Sequence, residues 1–227
     1  DVLGNTVARR EYAEDIRMFG ASFNTTVNET SVFGELAYRP NNPIGISTTN
    51  DLVGDIVVQG AQLADTGNLY GTHSNTAMVA GAMVNKGAEI HNSVRVETFN
   101  TSLGAIQNFG PAMSFDSLVG VFELASEHYR GNDLQYTACG ASAPGVGSAP
   151  KCTTRYFAGR QNASYAEGAR DSDQIDADAY GYTLLLNGTW NDVYAGVNLS
   201  PYTVYKSDFS GNSSQTGNFI EGRQAAT

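Results

Sequence analysis

Hydrophobic and polar residues alternate with a period of two over long stretches of the chain, which predicts β-strands with two unlike faces. In 15–27, DIRMFGASFNTTV, one face holds Phe19, Ala21, Phe23 and Val27, and the other Met18, Gly20, Ser22, Asn24 and Thr26. In 31–39, Val32, Gly34, Leu36 and Tyr38 alternate with Phe33, Glu35, Ala37 and Arg39. Asn28-Glu29-Thr30 is short enough to make these two a tight hairpin. The segments 94–106 and 116–129 repeat the plan, joined through NFGPAMS with its Gly-Pro turn. A third hairpin is predicted from 175–189 and 192–205, with Trp190 and Asn191 as the joint.

The links between hairpins, 40–92 and 130–174, are long. Short turns at one edge and long loops at the other are the layout of an outer-membrane barrel. Segments of this length also match the roughly 9–11 residues that cross a bilayer at a tilt. The expected fold is therefore all-β: a single antiparallel transmembrane barrel domain over 1–227, with hairpins 15–39, 94–129 and 175–205. Inside the first link, Val53, Ile56, Val57, Ala61 and Ala64 fall at helical spacing, and Thr48 with Asp51 resembles a capping box. A short helix near 50–64 is expected there, within the pore or on its rim.

Composition fits a chain not surrounded by water. Apolar residues make up 41%, enough for a core, while charged residues are only 16%, against roughly 25% in soluble domains. The net charge of −10 and the absence of any basic cluster exclude nucleic acid, whose phosphates need Lys and Arg. Cys139 and Cys152 bracket a Gly/Ala/Pro-rich spacer. They read as a disulfide-closed loop, which implies an oxidising compartment; two unrelated free thiols are the alternative. No apolar run reaches the roughly eighteen residues of a membrane-spanning helix.

Catalytic signatures are missing. His73, His91 and His128 are scattered, and neither a zincin, a nucleophile-elbow nor a phosphate-loop motif occurs. No nucleophile–base pair is visible, so the expected mechanism is passage and not bond chemistry, with no cofactor. Asp171, Asp173, Asp176 and Asp178 crowd one segment and form a weak Ca²⁺ candidate. They lack the spacing and closing Glu of a calcium loop, and a solvated acidic rim accounts for them. Of the Asn-x-Ser/Thr triplets, which include Asn24, Asn28, Asn187 and Asn198, several fall mid-strand, and a chain rich in Asn, Ser and Thr generates them by chance.

An apolar face opposite a charged one suits a sheet with lipid on one side and a lumen on the other, because a sheet in lipid must close on itself. Glu35, Arg39, Glu123 and Arg17 are the candidate lumen residues. Arg17 sits on the Phe19 side of strict alternation, so its placement in the lumen requires a bulge or a strand end. A soluble β-sandwich is the competing fold; recurrent small residues on the strand faces and the regular loop alternation weigh against it.

The words EDIRMFGASFNTT, SVFGELAYRPN, FGP, WNDVYAGVNLSP and NFIEG resemble a proteobacterial family catalogued as domain-of-unknown-function family 1302. That resemblance implies an outer-membrane β-barrel in a Gram-negative bacterium. It further implies contact with outer-membrane lipid and lipopolysaccharide, a periplasmic lipoprotein-like partner and an inner-membrane exporter of hydrophobic molecules. Members are longer, and this chain ends in RQAAT and not in an aromatic residue, so an interior or C-proximal piece of a larger barrel is expected. The function that follows is a channel or transporter for hydrophobic or amphipathic molecules. A structural or adhesive outer-membrane protein with a plugged lumen and partner-binding loops is the alternative.

Overall fold

The computed structural model describes residues 7, 9–46, 76–79, 82–85, 87–140, 151–157, 174–214 and 218–227, with only the backbone at 76–79, 82–85, 136–140, 151–153 and 155–156. The expected helix near 50–64 lies outside the described residues, and among those described every regular element is a strand. The strands are β1 (Phe19–Val27), β2 (Thr30–Gly45), β3 (Thr76–Val79), β4 (Ala82–Asn85), β5 (Ser93–Ala112), β6 (Phe115–Arg130), β7 (Gln135–Gly140), β8 (Lys151–Tyr156), β9 (Asp178–Tyr194), β10 (Val197–Leu199), β11 (Tyr202–Ser210) and β12 (Gln224–Ala226).

Eight of them form one antiparallel sheet in the order β1-β2-β5-β6-β9-β11-β12, with β10 also on β9. The long links contribute two separate hairpins, β3–β4 and β7–β8. The main sheet thus has more strands than the three expected hairpins supply. Among the described residues β1 pairs with β2 alone and β12 with β11 alone, so the sheet is open at both edges.

Turn chemistry sets the hairpins. Val27 faces Thr30 across Asn28-Glu29, and Asn28 takes the left-handed conformation (φ 56°) that asparagine tolerates better than most residues. Thr30 therefore belongs to β2 and not to the turn. The first strand begins at Phe19 and not at residue 15, where Asp15 has φ 56°. The last hairpin also moves. Trp190 stays inside β9, its ring 4.3 Å from Phe115 and its Nε1 donating to Ser114 O (2.7 Å). The chain reverses instead at Ala195-Gly196, both with positive φ. The turns at 28–29, 113–114 and 195–196 lie at one end of the sheet, and the long links leave from the other.

Alternation separates the faces as the sequence predicts. Phe19, Tyr38, Phe99 and His128 occupy one cross-strand rung, and Phe23, Gly34, Leu103, Leu124 and Tyr182 another on the same face. Among the described residues nothing packs over this face: Phe19 is 61% exposed, Leu103 52% and Phe122 45%. The buried core lies elsewhere, at the long-link end. There Ile44, Ile46, Val96, Tyr129, Leu134, Phe157 and Ile175 cluster, tied by Phe157 N to Leu134 O (2.8 Å) and Ile175 N to Phe157 O (3.0 Å).

The segment before β1 is fastened to the same end. Arg95 donates to Glu14 O (2.8 Å) and Asn41 Nδ2 to Asp15 O (2.6 Å). Glu11 binds His91 Nδ1 (2.7 Å), and that hydrogen bond holds the imidazole pKa above its ordinary value. In the second link the register sets Cys139 opposite Cys152; the spacer 141–150 between them lies outside the described residues.

Candidate functional site: a polar face crossed by the loop after β11

The second face of the sheet carries the charges. Register places Ser22, Glu35, Ser102, Ala125, Gly181 and Asp208 on one rung. The next rung toward the short turns holds Asn24, Phe33, Gly104, Glu123, Thr183 and Lys206, and the one on the other side holds Gly20, Ala37, Asn100 and Glu127. Beyond it lies Arg39, opposite Thr98 and Tyr129. Glu35, Arg39 and Glu123 therefore share one face, as their spacing predicts. Glu35 and Glu123 line an open cavity of about 780 Å³ together with Lys206 and Arg223. Arg17 does not join them: it precedes β1, its side chain is exposed, and its backbone N–H donates to Asn41 Oδ1 (2.9 Å).

A hydrogen-bond chain runs across this face. Arg39 Nη1 donates to Asn100 Oδ1 (2.7 Å), and Asn100 Nδ2 donates to Glu127 Oε2 (2.8 Å). Because the arginine can only donate and the carboxylate can only accept, the amide between them has one workable orientation. Glu127 is 3% exposed. Its other oxygen accepts from the Tyr129 hydroxyl, and Oε2 also accepts from Asn218 Nδ2 (3.0 Å). A buried carboxylate with this many donors has its desolvation offset by charge-assisted hydrogen bonds.

Asn218 belongs to the loop between β11 and β12, which folds back over the inner face. Two anchors hold it. Tyr129 Oη accepts from Ser214 N (2.8 Å). Arg223 donates from Nε and Nη2 to Asp208 Oδ2, both at 2.6 Å. Asp208 is fully buried. Its Oδ2 also takes Ile220 N (3.2 Å), and its Oδ1 has the Lys206 ammonium at 3.8 Å. Gly181 makes room for this carboxylate, since a Cβ there would stand 2.8 Å from Oδ1.

The acidic segment does not assemble as a cation site among the described residues. Asp171 and Asp173 lie outside them. Asp176 Oδ2 accepts from Asn212 N (2.8 Å), while Asp178 Oδ1 meets His128 and Arg130.

The family model described as Protein of unknown function (DUF1302) matches residues 2–227. The chain belongs to the DUF1302 family. Neither a curated protein nor a solved structure matches it. Several of the words that carry the resemblance now have structural roles. YRPN ends in the bulge of β2 beside Arg39, and NFIEG is the part of the inner loop that binds Glu127 and Asp208. Sequence reasoning missed Glu127, Asp208 and Arg223. Glu127 alternates in β6 like any polar strand residue, and only its register neighbour Asn100 and the distant Asn218 reveal its burial. The NFIEG word was the available signal for the loop.

Arg223→Ala is expected to leave the Asp208 carboxylate buried without its main partner and to destabilise the fold by about 3–5 kcal/mol. Adding Asp208→Asn to that variant should recover part of the loss. Denaturant midpoints of the folded chain measure both, and an unchanged midpoint in Arg223→Ala would mean that Lys206 alone compensates Asp208.

Proposed function

We propose that this DUF1302 chain forms part of a bacterial outer-membrane channel or transporter for hydrophobic or amphipathic molecules. The observation that carries this reading is the pairing of opposite environments on one sheet. Phe, Leu and Tyr side chains stand uncovered on one face, and Glu35, Arg39, Glu123, Glu127 and Lys206 gather on the other. Exposed apolar area of this extent in water is a liability; against lipid it is a requirement. On this reading further strands complete the barrel, lipid and lipopolysaccharide cover the outer face, and the inner charges select what passes. A periplasmic lipoprotein-like partner and an inner-membrane exporter are supported by the family resemblance.

The loop after β11 favours a second reading, a structural or adhesive barrel whose lumen is plugged, because its Asn218 and Phe219 line the cavity. Single-channel recording of the full-length natural protein in planar bilayers separates the two. A transporter gives conductance steps whose ion selectivity changes in Arg39→Glu and Glu35→Lys; a membrane-inserted but silent protein belongs to the second class.

Lipid contact has its own test. Leu103→Arg on the outer face is expected to cost about 2–4 kcal/mol if the residue sits near the bilayer midplane. Ser102→Arg, one residue away on the inner face, should cost much less. Equal costs would remove the lipid-facing assignment.

The Cys139–Cys152 disulfide belongs to this proposal too, supported by their opposition across β7 and β8. Alkylation of both thiols without prior reduction would eliminate it.

A further inference from the structure

One polar cluster interrupts the apolar outer face. Ser126 and His128 are two residues apart on β6, hence on the same side, and the register sets Asp178 of β9 directly opposite His128. His128 Nδ1 lies 2.5 Å from Asp178 Oδ1, and His128 Nε2 lies 3.0 Å from Ser126 Oγ. The carboxylate can only accept, so Nδ1 carries a proton, and in the neutral imidazole Nε2 then presents its lone pair to the serine hydroxyl. A hydroxyl, an imidazole and a carboxylate in this order and with these nitrogens are the parts of a nucleophilic relay, which is recognised by geometry and not by sequence position.

The surroundings hold the relay in place. Arg130 Nη2 donates to the same Asp178 oxygen (2.6 Å), while its Nη1 donates to Ala177 O (3.0 Å) and Tyr129 O (2.7 Å). The Tyr180 ring meets the imidazole edge-on at 5.4 Å. Thr101 Oγ1, 2.5 Å from Ser126 Oγ, supplies a hydroxyl beside the nucleophile that can turn toward a developing oxyanion. Ser126 is 9% exposed, so any substrate that reaches its hydroxyl must present a narrow group to it. Leu36 stands on the Ser126 rung and Leu124 one rung nearer the short turns, while on the other side come Asp178 on the His128 rung and Arg130 one rung beyond it.

We propose that Ser126, His128 and Asp178 form an ester-hydrolysing site on the outer wall, with an acyl ester of a membrane lipid as substrate. His128 Nε2 takes the Ser126 proton as Oγ attacks the ester carbonyl. The carbon–oxygen bond to the alcohol breaks, the alcohol leaves with the proton from His128, and the acyl group stays on Ser126. Water then attacks the acyl-serine, gives its proton to His128, and the fatty acid departs as the proton returns to Ser126. Asp178 is a positioning residue that fixes the tautomer. The relay stands independently of the channel; its lipid substrate rests on the membrane reading.

The test uses the full-length protein in non-ionic detergent, with p-nitrophenyl butyrate as soluble ester and a fluorophosphonate as covalent probe. The expected result is a phosphonyl adduct on the peptide carrying Ser126. Hydrolysis should fall on the order of 10³-fold in Ser126→Ala and His128→Asn, and Asp178→Asn should lower kcat with little change in KM. No adduct at Ser126 in the folded wild-type protein, with equal hydrolysis in Ser126→Ala, overturns the relay whatever the conductance experiment gives. Phosphatidylethanolamine vesicles bearing the reconstituted protein should release free fatty acid. An adduct at Ser126 without that release overturns the lipid ester as substrate.

Discussion

The antiparallel ladder from β1 to β12 assigns each side chain in the main sheet to one of two environments, and it does so with a period of two. A slip of one residue between β5 and β6 would carry Glu123 and Glu127 to the face now held by Leu124 and Phe122. It would also bring those apolar groups among Asn100, Lys206 and the inner loop. Register is strongly specified where the faces differ this much. Local turn chemistry enforces the same alignment: Asn28 and the Ala195-Gly196 pair adopt left-handed conformations that close their hairpins with minimal loop.

From that alignment the inner network follows. Arg39 and Glu127 are not register partners, and Asn100 joins them because it lies opposite Glu127 on β6 and beside Arg39 on the β2–β5 ladder. The loop that crosses the face then depends on two buried acids, Glu127 and Asp208, each presented inward by its strand. Such carboxylates are costly without partners, so the loop and the acids hold one another in place.

Much of this was legible in the sequence, and for one reason: alternation is a local property. It gave the first five strand segments to within a few residues, the short connection after β1, the shared face of Phe19, Leu103 and Phe122, and the common face of Glu35, Arg39 and Glu123. What it missed depends on distance along the chain. Asn218 lies 91 positions from Glu127, and no local pattern brings them together. Alternation also cannot say where a strand stops. Trp190 looked like a joint because it precedes Asn191-Asp192, yet its packing on Phe115 keeps it in the strand. β12 was invisible, since three residues ending near Ala226 carry no period of their own.

The distribution of burial bears on what the molecule needs around it. Its core sits at one end, where the long links meet Ile44, Val96 and Tyr129, and the middle of the sheet has no second layer among the described residues. A β-sandwich would answer the apolar face with another sheet. Here that face meets no second layer among the described residues, while the polar face is crossed by a loop that binds Glu127 and the Oδ2 of Asp208. Most of the polar burial is thus met by hydrogen bonds within the chain, while the apolar band stays exposed among the described residues. The two adjacent rungs where Ser126, His128 and Asp178 interrupt the apolar face stand between the exposed leucines and the charged strand ends, so on the membrane reading they lie where hydrocarbon gives way to water.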